Sequence, residues 1–106
     1  MDINLLKSWQ RTEGYLRDAR SHLSQIAEAD FADGIREAEQ YLEHNELGLA
    51  FDALESIAME SQWEGLRFFE LLALAAASMS LVDRQKAIDG LISRLRGWTY
   101  ETNLPT

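Results

Sequence analysis

Apolar residues recur three and four positions apart along most of this chain, the spacing that places side chains on one face of an α-helix. No stretch shows the strict apolar–polar alternation of a half-buried strand. The pattern therefore predicts an all-α protein, a single compact bundle of about five helices in one domain over residues 1–106. The predicted helices cover approximately residues 2–29, 30–44 (or 33–44), 46–61, 63–79 and 82–97.

The middle of the chain predicts a helical hairpin. One apolar stripe ends at Leu42, and three polar residues follow it: Glu43, His44 and Asn45. A second stripe then follows at helical spacing: Leu47, Ala50, Phe51, Leu54, Ile57 and Ala58. Asn45 or a neighbour can cap the second helix of the pair. Helices joined by so short a turn usually pack antiparallel.

The fourth predicted helix is apolar nearly all round. Its large residues are separated mainly by alanines: Leu66, Phe68, Phe69, Leu71, Leu72 and Leu74. A helix without a polar face has to be covered on most sides. We therefore expect it at the centre of the bundle.

The first segment carries one apolar seam: Leu5, Trp9, Thr12, Leu16, Ala19, Leu23 and Ile26. Gly14 lies off this seam and weakens the helix by about 1 kcal/mol relative to alanine. The segment is therefore either one long helix or two shorter ones.

Capping residues predict where the other helices begin and end. Asp30 and Asp33 are both good N-caps for the second helix, and Ser80 with Asp83 resembles a capping box before the last. Gly97 is a natural C-cap. The last helix should direct five residues inwards: Ile88, Leu91, Ile92, Leu95 and Trp98. The tail that follows should lie along the surface.

The net charge of −8 is concentrated in one part of the chain. Residues 30–64 contain ten acids, and Arg36 is their only base, so this segment carries −9 while the rest carries +1. Such a segment repels nucleic acid and anionic membranes and attracts a basic partner. On charge alone, a solvated acidic surface without any partner explains the pattern equally well.

Candidate catalytic and metal-binding groups are few. The chain has no cysteine, and its two histidines, His22 and His44, are not spaced as a pair of metal ligands. His44 is a general-base candidate in an acidic turn, but no nucleophile or oxyanion hole is recognisable beside it. Phosphate-binding glycine loops, nucleophile elbows and dinucleotide fingerprints are not found. We therefore expect no enzymatic activity, no cofactor and no metal ion.

The sequence also predicts where the protein resides. The first residues lack the basic start and apolar run of a secretion signal, and the longest apolar stretch, residues 71–77, is too short to span a bilayer. The absence of cysteine fits a reducing compartment. We therefore expect a cytoplasmic protein that binds neither membrane nor nucleic acid.

The hairpin sequence EHNELGLAFDAL resembles that of small bacterial immunity proteins of the Maf type, the partners of secreted polymorphic toxins. The residues that carry the resemblance cover about a fifth of the chain: Tyr41, Leu42, Glu43, His44, Asn45, Glu46, Gly48, Leu49, Ala50, Phe51 and Leu54. The overall character is similar to that of helical immunity proteins from contact-dependent growth inhibition systems. The resemblance implies a stoichiometric toxin inhibitor rather than an enzyme.

The resemblance also implies the chemistry of the partner. Toxins of such systems are often nucleases, which are basic around the active site, and the acidic segment fits such a partner in a heterodimer. We expect acids on the second and third predicted helices to cover that site, with a histidine, a methionine and a tryptophan as anchors. The predicted toxin-binding residues are Glu39, Glu43, His44, Glu46, Asp52, Glu55, Met59 and Trp63. The alternative is a helical adaptor or regulatory subunit of a constitutive complex, which predicts a larger exposed apolar patch.

Overall fold

A computed structural model of the protein describes residues 3–60 and 65–105. Within these residues the chain forms six α-helices and no strand, which confirms the all-α prediction but with one helix more than expected. The helices are α1 (Ile3–Ser21), α2 (Gln25–Asp30), α3 (Ala32–Glu43), α4 (Leu47–Glu60), α5 (Leu66–Ser78) and α6 (Val82–Arg96).

The central helix is α5, as its composition predicts. Seven of its 13 residues are buried, because leucine, phenylalanine and alanine occupy nearly every side of it. Both α1 and α6 pack extensively on α5, and α4 also contacts it. In contrast, α3 packs mainly on α4, and α2 packs on α3. The largest fully buried side chains accordingly come from α1, α4, α5 and α6: Leu16, Phe51, Leu54, Phe68, Leu71, Leu72, Ile88 and Ile92.

The first predicted segment is two helices, and the break lies at residues 22–24 rather than at Gly14, which is inside α1. The Ser24 side chain accepts a hydrogen bond from the backbone N–H of Ala27 over 3.0 Å and so caps α2. Serine is a favoured N-cap because its oxygen pairs an N–H that has no partner within the helix. This second start accounts for the sixth helix.

The start of α3 differs from the prediction. Phe31 occupies the N-cap position, and its side chain makes no capping hydrogen bond, so neither Asp30 nor Asp33 is the cap. Asp33 lies instead in the first turn, where its negative charge is favoured by the helix dipole.

Two turns of the same type end α3 and α5. Asn45 follows α3 with a φ of 56°, and Ser80 follows α5 with a φ of 60°. In each turn the next residue's N–H donates over 2.8 Å to the carbonyl five positions before it. A left-handed residue with this bond is the Schellman motif, which satisfies carbonyls at a helix end.

These turns change two predictions about helix caps, one at Ser80 and one at Asn45. The capping box at Ser80 and Asp83 is wrong: Leu81 takes the N-cap position of α6 without a side-chain bond. Asn45 or a neighbour was expected to cap α4, and the left-handed conformation of Asn45 places that residue in the turn that ends α3. Both asparagine and serine were interpreted as the start of a helix although they complete the preceding one.

Some residues predicted to face inwards are exposed. Leu95, Trp98 and Ile26 expose 55%, 61% and 48% of their surface. The reason lies in the packing, since α6 packs extensively only on α5, and α2 has only a small contact, which is with α3. One narrow stripe, Ile88 and Ile92, is enough to attach α6.

The tail runs back along α6, held by side chains of that helix. Gly97 ends α6 with a φ of 84°, which confirms it as the C-cap. The Thr102 N–H donates to Asp89 Oδ2 over 3.0 Å, and the Thr102 hydroxyl donates to the other carboxylate oxygen. The Ser93 hydroxyl accepts the Tyr100 N–H over 2.9 Å. The tail follows the surface as predicted, but its own Thr102 is buried against Asp89 of α6, which is buried as well.

We predict that Ser80→Gly stabilises the protein by about 1 kcal/mol, because glycine adopts the left-handed conformation without the steric cost of a Cβ atom. Asn45→Gly should stabilise less, since asparagine tolerates this conformation better than serine. The matched control Ser56→Gly, at an exposed position within α4, should destabilise by about 0.5 kcal/mol. Urea denaturation measures all three, and equal free energies of unfolding for Ser80→Gly and Ser56→Gly would contradict the prediction.

Candidate functional site

A surface groove of about 350 Å³ runs between α3 and α4. Each wall is one face of a helix, because the lining residues recur three and four positions apart. The wall along α3 is formed by Phe31, Gly34, Glu37 and Tyr41. The wall along α4 is formed by Leu49, Asp52, Ala53, Ser56, Ile57 and Glu60. We call this feature the α3–α4 groove.

The α3–α4 groove combines an apolar floor with an acidic rim. Ile57 is buried, and Tyr41 is half-buried against the core. Three exposed carboxylates stand around this floor: Glu37, Asp52 and Glu60. Of the described residues that line the groove, none is basic. The rim therefore has an unbalanced negative charge, which favours cationic groups.

Tyr41 responds to this charge. Its hydroxyl donates a hydrogen bond to Glu37 Oε1 over 2.9 Å. This bond, and then the charge of Glu37, raise the pKa of Tyr41 above its ordinary value of 10, with smaller contributions from Glu46 and Asp52. Carboxylates of both helices therefore act on one phenol at the edge of the groove.

Arg84 of α6 pairs with two acids on the neighbouring flank of α4. Its Nη1 atom lies 2.5 Å from Asp52 Oδ1, and its Nη2 atom lies 2.5 Å from Glu55 Oε1. The guanidinium also stacks over the Phe51 ring, 4.4 Å from its centroid. The hydrogen bond to Glu55 is the largest cause of the raised pKa of Arg84. We call these four side chains the Arg84 clamp.

Arg20 forms a second clamp that joins three helices. Its Nε atom lies 2.7 Å from Glu39 Oε1, and its Nη1 atom lies 2.7 Å from Glu28 Oε1. Burial by itself lowers the pKa of Arg20, but the hydrogen bonds to Glu39 and Glu28 outweigh burial and raise it. Glu39 therefore holds α3 to α1, and this pairing compensates much of its charge.

The other predicted contacts lie at the hairpin end and on α4. Glu43 shares a shallow pocket with Arg17, yet neither it nor Glu46 forms an ion pair with any described residue. His44 is exposed, with its Nδ1 atom 2.8 Å from a backbone carbonyl of α3. Met59 is 54% exposed on α4.

The predicted contact residues are distributed over several faces. Asp52 lines the α3–α4 groove, whereas Glu55 is turned towards α6 by the Arg84 clamp. Glu39 and Glu43 lie on the opposite flank of α3, beside α1. Trp63 lies outside the described residues. The hairpin therefore presents two acidic flanks separated by the ridge of α3.

Sequence reasoning did not single out several residues of the groove. Glu37, Leu49 and Glu60 were not among the predicted contacts, although all are exposed. A signal was present: Leu49 is a large apolar residue outside the core stripe of α4, three positions before an acid. An apolar residue at such a position is ordinary on its own. Only the adjacent wall of α3 turns it into part of a groove.

The described residues also bear on other kinds of site. They contain no group of three or more histidine or acidic side chains arranged to hold a metal ion. In the described part of the chain, no helix has the length and apolar content needed to cross a membrane.

Comparisons with protein-family models, curated proteins and solved structures find no match to this chain.

We predict that Arg84→Met destabilises the protein by about 1–2 kcal/mol, because the clamp's two carboxylates lose their partner and the ring loses its stacked cation. The control Arg36→Met removes an exposed i,i+3 pair with Asp33 and should change stability by less than about 0.5 kcal/mol. Urea denaturation measures the free energy of unfolding of both variants. Equal losses of stability would show that the clamp stabilises the protein no more than an exposed ion pair does.

We predict that Glu37→Gln lowers the pKa of Tyr41 towards 10, since the charged acceptor that raises it is removed. In the native protein this phenol should stay neutral to higher pH than an ordinary tyrosine. The ultraviolet absorbance of tyrosinate reports the titration, and the difference from Tyr41→Phe isolates this residue. An unchanged titration in Glu37→Gln would contradict the assigned cause.

Proposed function

We propose that this chain is an immunity protein that binds and neutralises a cognate secreted antibacterial toxin, most simply a basic nuclease or ribonuclease. The observation that carries the proposal is the α3–α4 hairpin, in which an apolar groove lies within a strongly acidic surface. Residues 32–60 contain eight acids and a single base, Arg36. The resemblance of the hairpin sequence to immunity proteins points in the same direction.

The charges that remain after internal pairing support a role in binding. The Arg20 and Arg84 clamps compensate four acids: Glu28, Glu39, Asp52 and Glu55. Glu43, Glu46 and Glu60 have no ion-pair partner among the described residues. Unpaired surface charge of one sign does little for stability, but it accelerates encounter with an oppositely charged protein and selects against other partners.

The proposed mechanism is occlusion of the toxin's active site. A nuclease holds its substrate through phosphate contacts made by lysine and arginine. Carboxylates on the hairpin offer the same cations an alternative set of anions, so the bound hairpin excludes nucleic acid. The immunity protein then acts stoichiometrically, in the cytoplasm of the cell that it protects.

One observation favours the alternative, a helical adaptor. The first two turns of α1 expose Ile3, Leu5, Leu6 and Trp9. Leu5 and Trp9 were expected to face inwards, and their exposure leaves an apolar patch of the kind that marks a protein contact. An adaptor would use this patch for a permanent partner, whereas a toxin inhibitor would use the acidic hairpin.

We predict that co-expression with the product of the gene immediately upstream rescues cells from its toxicity and gives a one-to-one complex in a pull-down. Replacing Glu43, Glu46 and Glu60 together by glutamine should weaken that complex at least tenfold. The affinity of the variant should also fall less steeply as salt is added, because fewer charges contribute to binding. The matched control replaces Asp18, Asp83 and Glu101, which are exposed elsewhere, by their amides.

The variants separate the two readings of the surface. Equal binding by the two triple variants would contradict the acidic-hairpin mechanism while leaving the complex itself established. If the upstream product is not toxic and no complex forms, the immunity function is contradicted. Loss of a complex on Leu6→Ser with Trp9→Ser, but not on the hairpin substitutions, would favour the adaptor.

A further inference from the structure

The shape of the α3–α4 groove sets the kind of segment that fits it. The wall along α4 runs from Leu49 to Glu60, twelve residues that span about 16 Å of helix. An extended chain advances about 3.3 Å per residue, so the groove accommodates about five residues of a partner. Its volume of about 350 Å³ lies at the lower end of the range for ligand pockets.

The floor of the groove suits a large apolar side chain. Gly34 opens the wall of α3, and a Cβ atom built there would lie 3.7 Å from Ile57 Cδ1. Ile57 therefore lies close beneath Gly34 and, at 3% exposure, forms the buried base of the groove. Leu49 stands at one end with 46% of its surface exposed. Covering Leu49 and the half-buried Phe31, Tyr41 and Ala53 removes apolar surface from water, which favours an apolar anchor.

The rim adds a requirement of charge. Glu37 and Asp52 stand on facing walls, and Glu60 lies at the end of the α4 wall away from Leu49. Among the described residues, Arg84 is the only base that pairs with any of these three acids. It pairs with Asp52 and is shared with Glu55 on the other flank of α4. Cations on either side of an apolar anchor would therefore meet carboxylates that have no other cation among the described residues.

We propose that the α3–α4 groove binds a short extended segment of the partner protein, in which a large apolar residue is flanked by lysine or arginine. The apolar side chain rests on Ala53 and Ile57, and the flanking cations approach Glu37 and Glu60. This inference rests on the proposed function in taking a basic protein as the partner. It adds to the proposed phosphate mimicry a second requirement: the partner must also supply an apolar side chain that enters the groove.

The test is a titration of the ¹⁵N-labelled protein with three capped peptides of one-letter sequences GKLFKG, GKSSKG and GELFEG. The first should shift the amide signals of Gly34, Ala53 and Ser56 and should bind at least about tenfold more tightly than either of the others. GKSSKG keeps the charge without the anchor, and GELFEG keeps the anchor with reversed charge. Binding of GKSSKG as tight as that of GKLFKG would overturn the inference, as would signals that shift only outside the groove.

A substitution in the groove provides the second measurement. Ala53→Leu fills the groove from the wall of α4 and should weaken GKLFKG binding at least about fivefold. The control Ala87→Leu makes the same change at an exposed position of α6 and should leave binding unchanged. Urea denaturation confirms that both variants are folded. Unaltered peptide affinity in folded Ala53→Leu would overturn the groove as the site.

The inference and the proposed function fail in different ways. If the upstream product is captured and neutralised equally well by the native protein and Ala53→Leu, the immunity function stands and the groove inference is overturned. If GKLFKG binds the groove as expected but no toxin is neutralised, the groove stands and the immunity function is overturned.

Discussion

The structure depends on the need to cover α5. A helix with apolar residues on nearly every side is stable in water only when neighbours enclose it, and α1, α4 and α6 do so. Once these three positions are taken, α3 cannot reach α5 to any extent and packs on the outer side of α4 instead. The α3–α4 groove is a consequence of this arrangement. It lies where two helices meet away from the central helix, so its floor is apolar but still reachable from solvent.

Electrostatics then decides how the hairpin is held and what it can bind. Arg20 and Arg84 come from α1 and α6, outside the acidic segment. Arg20 pairs with Glu28 and Glu39, and Arg84 pairs with Asp52 and Glu55. The two guanidinium groups are partly buried, but three of the four carboxylates are about half exposed, so each pair contributes only modestly to stability. Glu43, Glu46 and Glu60 have no ion-pair partner among the described residues, so no internal cation balances their charge. The same two arginines therefore stabilise the hairpin and limit where a basic partner can bind.

Much of the fold was predictable from the chain, because burial follows the helical period closely. The stripe from Leu47 to Ala58 is buried as predicted, and the apolar run of α5 is central. The errors concern residues whose position depends on a neighbour. Ser80 reads as a helix start, yet it completes the Schellman turn of α5 because an unpaired carbonyl of that helix needs a donor. Leu95 and Trp98 have the right spacing to face inwards, but among the described helices α6 packs extensively only on α5, so both side chains stay exposed.

The sequence by itself determined the helical class, the central position of α5 and the acidity of the hairpin, since hydrophobic period and charge are properties of the chain. Only the tertiary structure decided which acids are paired and which face is a groove. Glu39 and Glu55 look like free contacts in the sequence, but arginines 19 and 29 residues away pair with them. Glu37, Leu49 and Glu60 look unrelated in sequence and come to line one groove. Such relations depend on how helices pack, because side-chain pairing across helices is set by distance in space and not by spacing along the chain.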